Sequence, residues 1–360
     1  MKPLKRLTIG EYRGLHDVTF DEFRAFNLLV GANNRGKTSV LEALQLVAKP
    51  HSKIEFRNIA FQREKHHNYR TIANLPEAIR WLFHREVSKE LQPIRLTVGT
   101  DAGEHSFTWE LEEKEYRVVK RDTFHWEDAY GEMEDTIQLE QKIKVTKDEE
   151  SYVEHTFEKE DLRESEEIER EQRLFVCRYV SPVDHKVMAL SVRSLSRMIR
   201  EGNVKQLVEA LRMFDSNINN VLTVPNEENR SVVYIDHAEL GHAPIMAFGD
   251  GMRRVLYLAL AIVEMEGGLL LIDEFETGVH TSLLVQMTEW LAELAEKYDV
   301  QIVATTHSLE TVDAILEVYE QRLDDFLLYR LREQSTETRV QKLLGEQVQV
   351  IRQQFGQDVR

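Results

Sequence analysis

Leu4, Leu7 and Ile9, then Val18 and Phe20 beyond a turn at Arg13-Gly14, alternate as a strand–turn–strand would. Phe26-Asn27-Leu28-Leu29-Val30 is a short apolar run ending at Gly31, the pattern of a strand buried on both faces. From Thr38 to Lys49 the apolar positions become Val40, Leu41, Leu44 and Val47, which is helical spacing, and Pro50 stops it. Short, partly alternating runs make residues 95–160 β-rich. From Ser191 to Leu222 the period turns helical again, with Arg193, Arg197, Arg200 and Lys205 along it. Then come a strand over 232–235, a helix opened by Gly249 and Gly251 and running to Glu264, and a strand over 269–272. A helix over about 282–297, a strand over 301–304, a strand over 326–331 and a terminal helix over about 341–353 complete the chain. Strands alternating with helices predict an α/β fold with a mixed or parallel core sheet. A β-rich first lobe and a helical second lobe go with it.

The chain has 360 residues, 42% hydrophobic and 30% charged, which is a globular composition. No apolar run approaches the roughly 20 residues that span a bilayer. Cys177 is the one cysteine, so neither an intrachain disulfide nor a cysteine-based zinc site is expected. These features point to the cytoplasm and away from a membrane. The net charge is −17, and residues 127–171 hold 18 acidic against 6 basic residues. The remainder is therefore close to balanced, and contact with DNA phosphates is not excluded. The charge run over 158–173 reads as a solvated helix or loop.

The sharpest motif is Gly31-Ala32-Asn33-Asn34-Arg35-Gly36-Lys37-Thr38, which fits G-x-x-x-x-G-K-[ST] between a predicted strand and a predicted helix. The glycines let backbone N–H groups turn toward phosphates, and the following helix adds its positive end. Lys37 would reach the β- and γ-phosphates of ATP, and the Thr38 hydroxyl would ligate Mg²⁺. Gly31, Asn33, Asn34, Arg35, Gly36, Lys37, Thr38 and Ser39 are thus the candidate nucleotide contacts. A second signal is Leu269-Leu270-Leu271-Ile272-Asp273-Glu274, an apolar strand that ends in two carboxylates. Such a strand delivers its last residues to the ligand edge of the sheet. Asp273 would hold the magnesium and Glu274 would polarise the attacking water.

Ala304-Thr305-Thr306-His307-Ser308 follows a strand, and Phe248-Gly249-Asp250-Gly251-Met252-Arg253-Arg254 opens a helix before the acidic strand. In this order the four pieces resemble the ABC-type ATPase heads of the SMC, RecF and OLD families. GANNRGKTS, LLIDEFETGVH and ATTHS look most like the RecF/OLD branch. The resemblance covers residues 1–50 and 245–310. It implies a P-loop NTPase head over 1–360, with 1–50 and 230–335 as nucleotide-binding core. It makes 51–175 a β-rich insertion bearing the acidic block, and 176–230 a helical lobe. It also implies that His307 contacts the γ-phosphate or its water, as a catalytic residue beside Glu274 and Lys37. Gly249 and Gly251 would form a signature loop that binds the nucleotide of an opposite subunit, giving a homodimer or higher oligomer around ATP.

The signature loop of these heads usually starts with Ser, and the sequence has Ala247 there. Glu276 and His280 lie where such heads cross to the partner subunit; they would touch its site or merely cap the next helix. Gln62 is a candidate glutamine-loop residue. No heptads separate Lys37 from Asp273, so long coiled-coil arms are not expected, and 53 residues after His307 are too few for a Toprim nuclease domain. The resemblance therefore implies a stand-alone, OLD-like AAA-family ATPase of anti-phage defence or DNA repair, working with a separate effector such as a nuclease. Two alternatives stay open: a RecF-like DNA-binding protein, and a slow or non-hydrolysing nucleotide switch.

Overall fold

The computed structural model describes residues 3–64, 75–83, 91–120, 134–157, 173–225, 231–334 and 337–360. Of the acidic block 127–171, residues 127–133 and 158–171 lie outside these residues, as does all of the charge run 158–173 but its last residue. So do His66-His67.

The first sheet starts with β1 (Arg6–Tyr12) and β2 (Leu15–Phe20), joined by the turn at Arg13-Gly14. β3 (Phe26–Val30) leaves it for a second sheet, and β4 (Ile94–Thr100), β5 (Gly103–Lys120), β6 (Glu134–Lys147) and β7 (Glu150–Phe157) complete the first in the antiparallel order β2-β1-β4-β5-β6-β7. The core sheet adds β8 (Cys177–Val180), β12 (Leu269–Ile272), β13 (Gln301–Thr305), β14 (Phe326–Gln334) and β15 (Glu337–Leu344), in the order β15-β14-β3-β13-β12-β8. All its neighbours run parallel except β15, which is antiparallel to β14. A third, antiparallel sheet comprises β9 (Ile218–Pro225), β10 (Ser231–His237) and β11 (Gly241–Pro244).

The strand period of two sorts the core-sheet residues onto two faces. Leu269, Leu271, Val303 and Leu327 pack with α1 (Lys37–Ala48) and the first sheet. Leu270, Ile272, Ala304 and Leu328 pack on the opposite side with α7 (Asp250–Glu264), α8 (Leu284–Lys297) and α9 (Leu309–Val318). α1 is thus enclosed between two sheets, which is why so much of it is buried.

Four local expectations are corrected. The segment read as a terminal helix over 341–353 begins as β15, because its backbone completes the ladder along β14, Leu331 facing Val340. Only Gly345–Gln349 and the π turn Val350–Gln354 are helical there. The helical stretch over 191–222 ends at Arg212, and the β-branched Ile218, Val221, Thr223 and Val224 turn to strand β9. Cys177–Val180, inside the expected helical lobe, pairs with β12 as the edge of the core sheet. Residues 231–244, read with the core, pair with β9 instead. Among the described residues, no helix is long and apolar enough to cross a membrane.

Candidate active site

β3 ends at Val30 and α1 begins at Lys37, so the loop between them sits at the carboxyl edge of the parallel strands. Two glycines shape it. Gly36, at φ 87°, caps α1, and a Cβ there would lie 2.5 Å from Leu15 Cδ2. Gly31 adopts φ 144°, and its Cβ would lie 2.5 Å from the Leu331 carbonyl oxygen. Asn34 takes φ 61°, a left-handed conformation that asparagine tolerates. Lys37 folds back over the loop, donating to the carbonyls of Gly31 (2.7 Å) and Ala32 (3.0 Å). Its Nζ also lies 3.4 Å from His307 Nδ1. Burial pushes its ammonium pKa down to about 8 against the pull of Asp273, Glu274 and Glu276.

The Asp273 carboxylate accepts three hydroxyls: Thr38 (3.0 Å), Thr305 (2.6 Å) and Tyr179 (3.0 Å). Thr38 comes from α1, Thr305 from the end of β13 and Tyr179 from β8, so three separate elements converge on one carboxylate. Thr38 and Asp273 are hard oxygen donors side by side, and this donor set fits Mg²⁺. Glu274 adopts φ 49°, an uncommon conformation for a residue with a Cβ and a type of strain that collects at functional sites. It is held there on three sides. Its N–H donates to Thr305 Oγ1 (2.9 Å), its carbonyl accepts from Arg254 (3.3 Å), and its carboxylate accepts from Thr277 (3.1 Å). Arg254 is fully buried and also donates to the carbonyls of Ser181 (2.6 Å) and Asp273 (3.0 Å).

His307 donates its backbone N–H to Glu276 (3.1 Å). Burial first, and Lys37 second, hold its ring pKa below the ordinary value, so the imidazole is neutral at neutral pH. A polar cavity of about 520 Å³ is lined by the loop from Asn33 to Ser39, Glu274 and His307, with Arg13, Gly14, Arg63 and Thr338 at its sides.

Some of the expected residues are occupied by protein. Arg35 pairs with Glu333, and the Ser39 hydroxyl accepts from Arg63 (2.8 Å). Gly249 and Gly251 lie outside this cavity, at the start of α7, where Gly249 is the N-cap. Ala247 is two residues further out, in a 3-10 turn, so the position that a capping serine would hold is Gly249. A Cβ on Gly251 would lie 2.8 Å from the Gly278 carbonyl oxygen. Asp250 is held by Lys186 (2.6 Å) and by Arg253, which together keep its carboxyl near 2. His280 takes the capping role, its ring accepting from Ser282 N (3.2 Å). Gln62 is buried beside Tyr179.

Sequence reasoning missed the part of Tyr179, Arg254, Arg13 and Arg63. Thr305 stood inside a recognised motif without a role. Arg13 and Arg63 clamp the fully buried Glu42 of α1 at 2.7 and 2.9 Å, tying α1 to the β1–β2 turn and to the turn Gln62–Glu64 beside the cavity.

Residues 26–313 match the protein family described as "AAA domain, putative AbiEii toxin, Type IV TA system". Over 44 residues the chain is 52% identical to the DNA replication and repair protein RecF of Pseudomonas fluorescens strain Pf-5, covering 12% of either protein. Over 141 residues it is 27% identical to an ATP/GTP phosphatase of Helicobacter pylori strain 26695, covering 38% of this chain and 36% of that one. The chain thus spans well under two thirds of these relatives. An SMC head crystallised with the C-winged helix domain of ScpA superposes with a TM-score of 0.56 at 10% identity, over 96% of this chain and 99% of that one. At that identity the likeness establishes the fold.

Proposed function

The chain belongs to the AAA-domain family matched over residues 26–313 and has the fold of an SMC-type ATPase head; from that premise we propose that it hydrolyses ATP with Mg²⁺. The observation that carries this is the meeting of Thr38, Asp273, Glu274, Lys37 and His307 at one cavity edge. Lys37 exchanges the Gly31 and Ala32 carbonyls for β- and γ-phosphate oxygens. Thr38 and Asp273 would hold the Mg²⁺, which when bound would offset phosphate charge. Glu274, fixed in its strained conformation, orients the attacking water and takes its proton. Neutral His307 hydrogen-bonds at the γ-phosphate.

In this reading two heads share two ATP molecules, each cavity completed by the start of the partner's α7. The separation of Gly249 and Gly251 from their own cavity supports it. The head acts in the cytoplasm as the regulatory ATPase of a defence or repair complex with a separate effector. The test is ATP turnover per subunit against protein concentration, with Glu274→Gln as blank. Turnover that rises with concentration and vanishes in the variant supports shared sites. A wild type as silent as the variant rejects hydrolysis and leaves a nucleotide switch.

A RecF-like DNA-binding reading is favoured by the 44-residue RecF match. Its basic helix α5 (Val192–Arg200) has lost Arg197 to Glu201 and Glu266, while Arg193 and Arg200 remain exposed. Duplex binding with ATP that weakens steeply with salt would support this reading, and no binding at low salt would reject it.

A further inference from the structure

We propose that the segment Gly356–Arg360 is a strap that holds the His307 loop, and that Arg360 is a positioning residue for His307. The inference rests on the reading of the cavity as an ATP-hydrolysing site. Gly356, at φ 61°, turns the chain back after the π turn, and Val359 inserts into the main core with 1% of its surface exposed. Arg352 anchors the return by donating to the Gln357 carbonyl (2.8 Å) while pairing with Asp313 of α9 (2.7 Å).

With Val359 buried, Arg360 is delivered to the loop at the start of α9. Asp358 grips the guanidinium through Nε (3.1 Å) and Nη2 (2.9 Å), which leaves Nη1 aimed at the His307 carbonyl, 2.8 Å away. Glu276 already holds the His307 N–H. Both backbone polar groups of His307 are therefore fixed by side chains distant in sequence. A residue pinned at both ends has one Cα–Cβ direction, and here it sets the ring 3.4 Å from Lys37. Without the strap, the peptide after His307 keeps the Ser308 N–H bond to Thr306 Oγ1 (3.0 Å) but loses the hold on its carbonyl, and the imidazole samples positions away from the phosphate site.

The experiment uses the full chain with Arg360→Ala and Arg360→Lys. It reads kcat and KM for ATP, and amide exchange of residues 307–312 in nucleotide-free protein. The alanine variant is expected to lose about three- to tenfold in kcat with KM within about twofold. Lysine, which keeps one N–H in reach, should restore most of it. Amide exchange should speed up in 307–312 alone. Unchanged kcat, or a loss that lysine does not rescue and that comes with faster exchange throughout the chain, overturns the proposal. If wild type itself fails to turn over ATP, the hydrolysis reading falls. The exchange result then decides the strap alone: local acceleration supports it, and unaltered exchange removes it. Should Arg360→Ala fail to fold, Asp358→Asn leaves the guanidinium but loosens its aim, and should give a smaller loss of the same kind.

Discussion

The Thr38 hydroxyl donates to the Asp273 carboxylate across 3.0 Å, joining the phosphate loop to the acidic strand over 235 residues of chain. Both groups are thereby set before any nucleotide arrives. Preorganised polar groups of this kind need not rearrange as the reaction proceeds.

Thr305 completes that arrangement by binding Asp273 Oδ1 and the Glu274 N–H through one hydroxyl. Thr305→Val keeps the shape of this fully buried side chain and removes both bonds. ATP turnover should fall about 10–100-fold with a raised Mg²⁺ requirement, while Thr305→Ser should retain most activity. Steady-state rates across a Mg²⁺ titration decide this.

Lys37 makes nucleotide binding proton-linked. Its pKa is lowered to about 8, so the free protein has lost part of this proton at pH 8.5. A bound polyphosphate favours the charged form and raises that pKa, so binding takes up a proton. Uptake should be clear at pH 8.5 and fade toward pH 7, where Lys37 is already charged. Calorimetry in two buffers of different ionisation enthalpy measures it, and Lys37→Met should abolish it. For stability the sign is the same: the folded state holds fewer protons than the unfolded one between about pH 8 and the ordinary lysine value, so this group's contribution rises with pH through that window.

Arg254 should matter more to stability than its distance from the cavity suggests. Its guanidinium satisfies the carbonyls of Ser181, Asp273 and Glu274 inside the core. Arg254→Leu strips the guanidinium from all three, leaving Ser181 and Glu274 with only their turn bonds from Asp184 N (3.4 Å) and Thr277 N (3.0 Å), and should cost on the order of 2–5 kcal/mol. Lysine, lacking the planar fork, should recover only part of the loss. The urea midpoint of each variant gives the ranking.

Gly36→Ala should abolish tight nucleotide binding, because the new methyl meets Leu15 and the residue must hold φ 87°. Gly14→Ala is the control: it lines the same cavity but has open space at its Cβ. Titration with a fluorescent ATP analogue should show at least about tenfold weaker binding for the first, and a change within about twofold for the second.

The phosphate loop and the acidic strand were legible because each is a local pattern: an apolar strand, then the chemistry at its end. Arg13 and Arg63 were not, since Arg13 reaches the cavity only when the first sheet folds over α1 and Arg63 comes to it from the turn Gln62–Glu64, and nothing in their neighbours announces it. Glu337–Leu344 has a weak alternation of half-buried and exposed positions that a helical period can also accommodate. The partner strand β14 decides it. The role of Arg254 was hidden in the same way, since its acceptors come from two loops far apart in sequence, at Ser181 and at Asp273-Glu274.

The strand that leads into the phosphate loop has neighbours made very late. Phe26 faces Ile302 on one side and Phe326 on the other. On the ribosome, the interval between making β3 and making β14 is roughly 15–60 s at ordinary elongation rates. Until β13 is made β3 lacks both flanking strands, and until β14 follows, Gly31 of the loop lacks its neighbour Leu331. A nascent chain is therefore unable to assemble this site until β13 and β14 have been made, and one released before then exposes an apolar strand with two open edges.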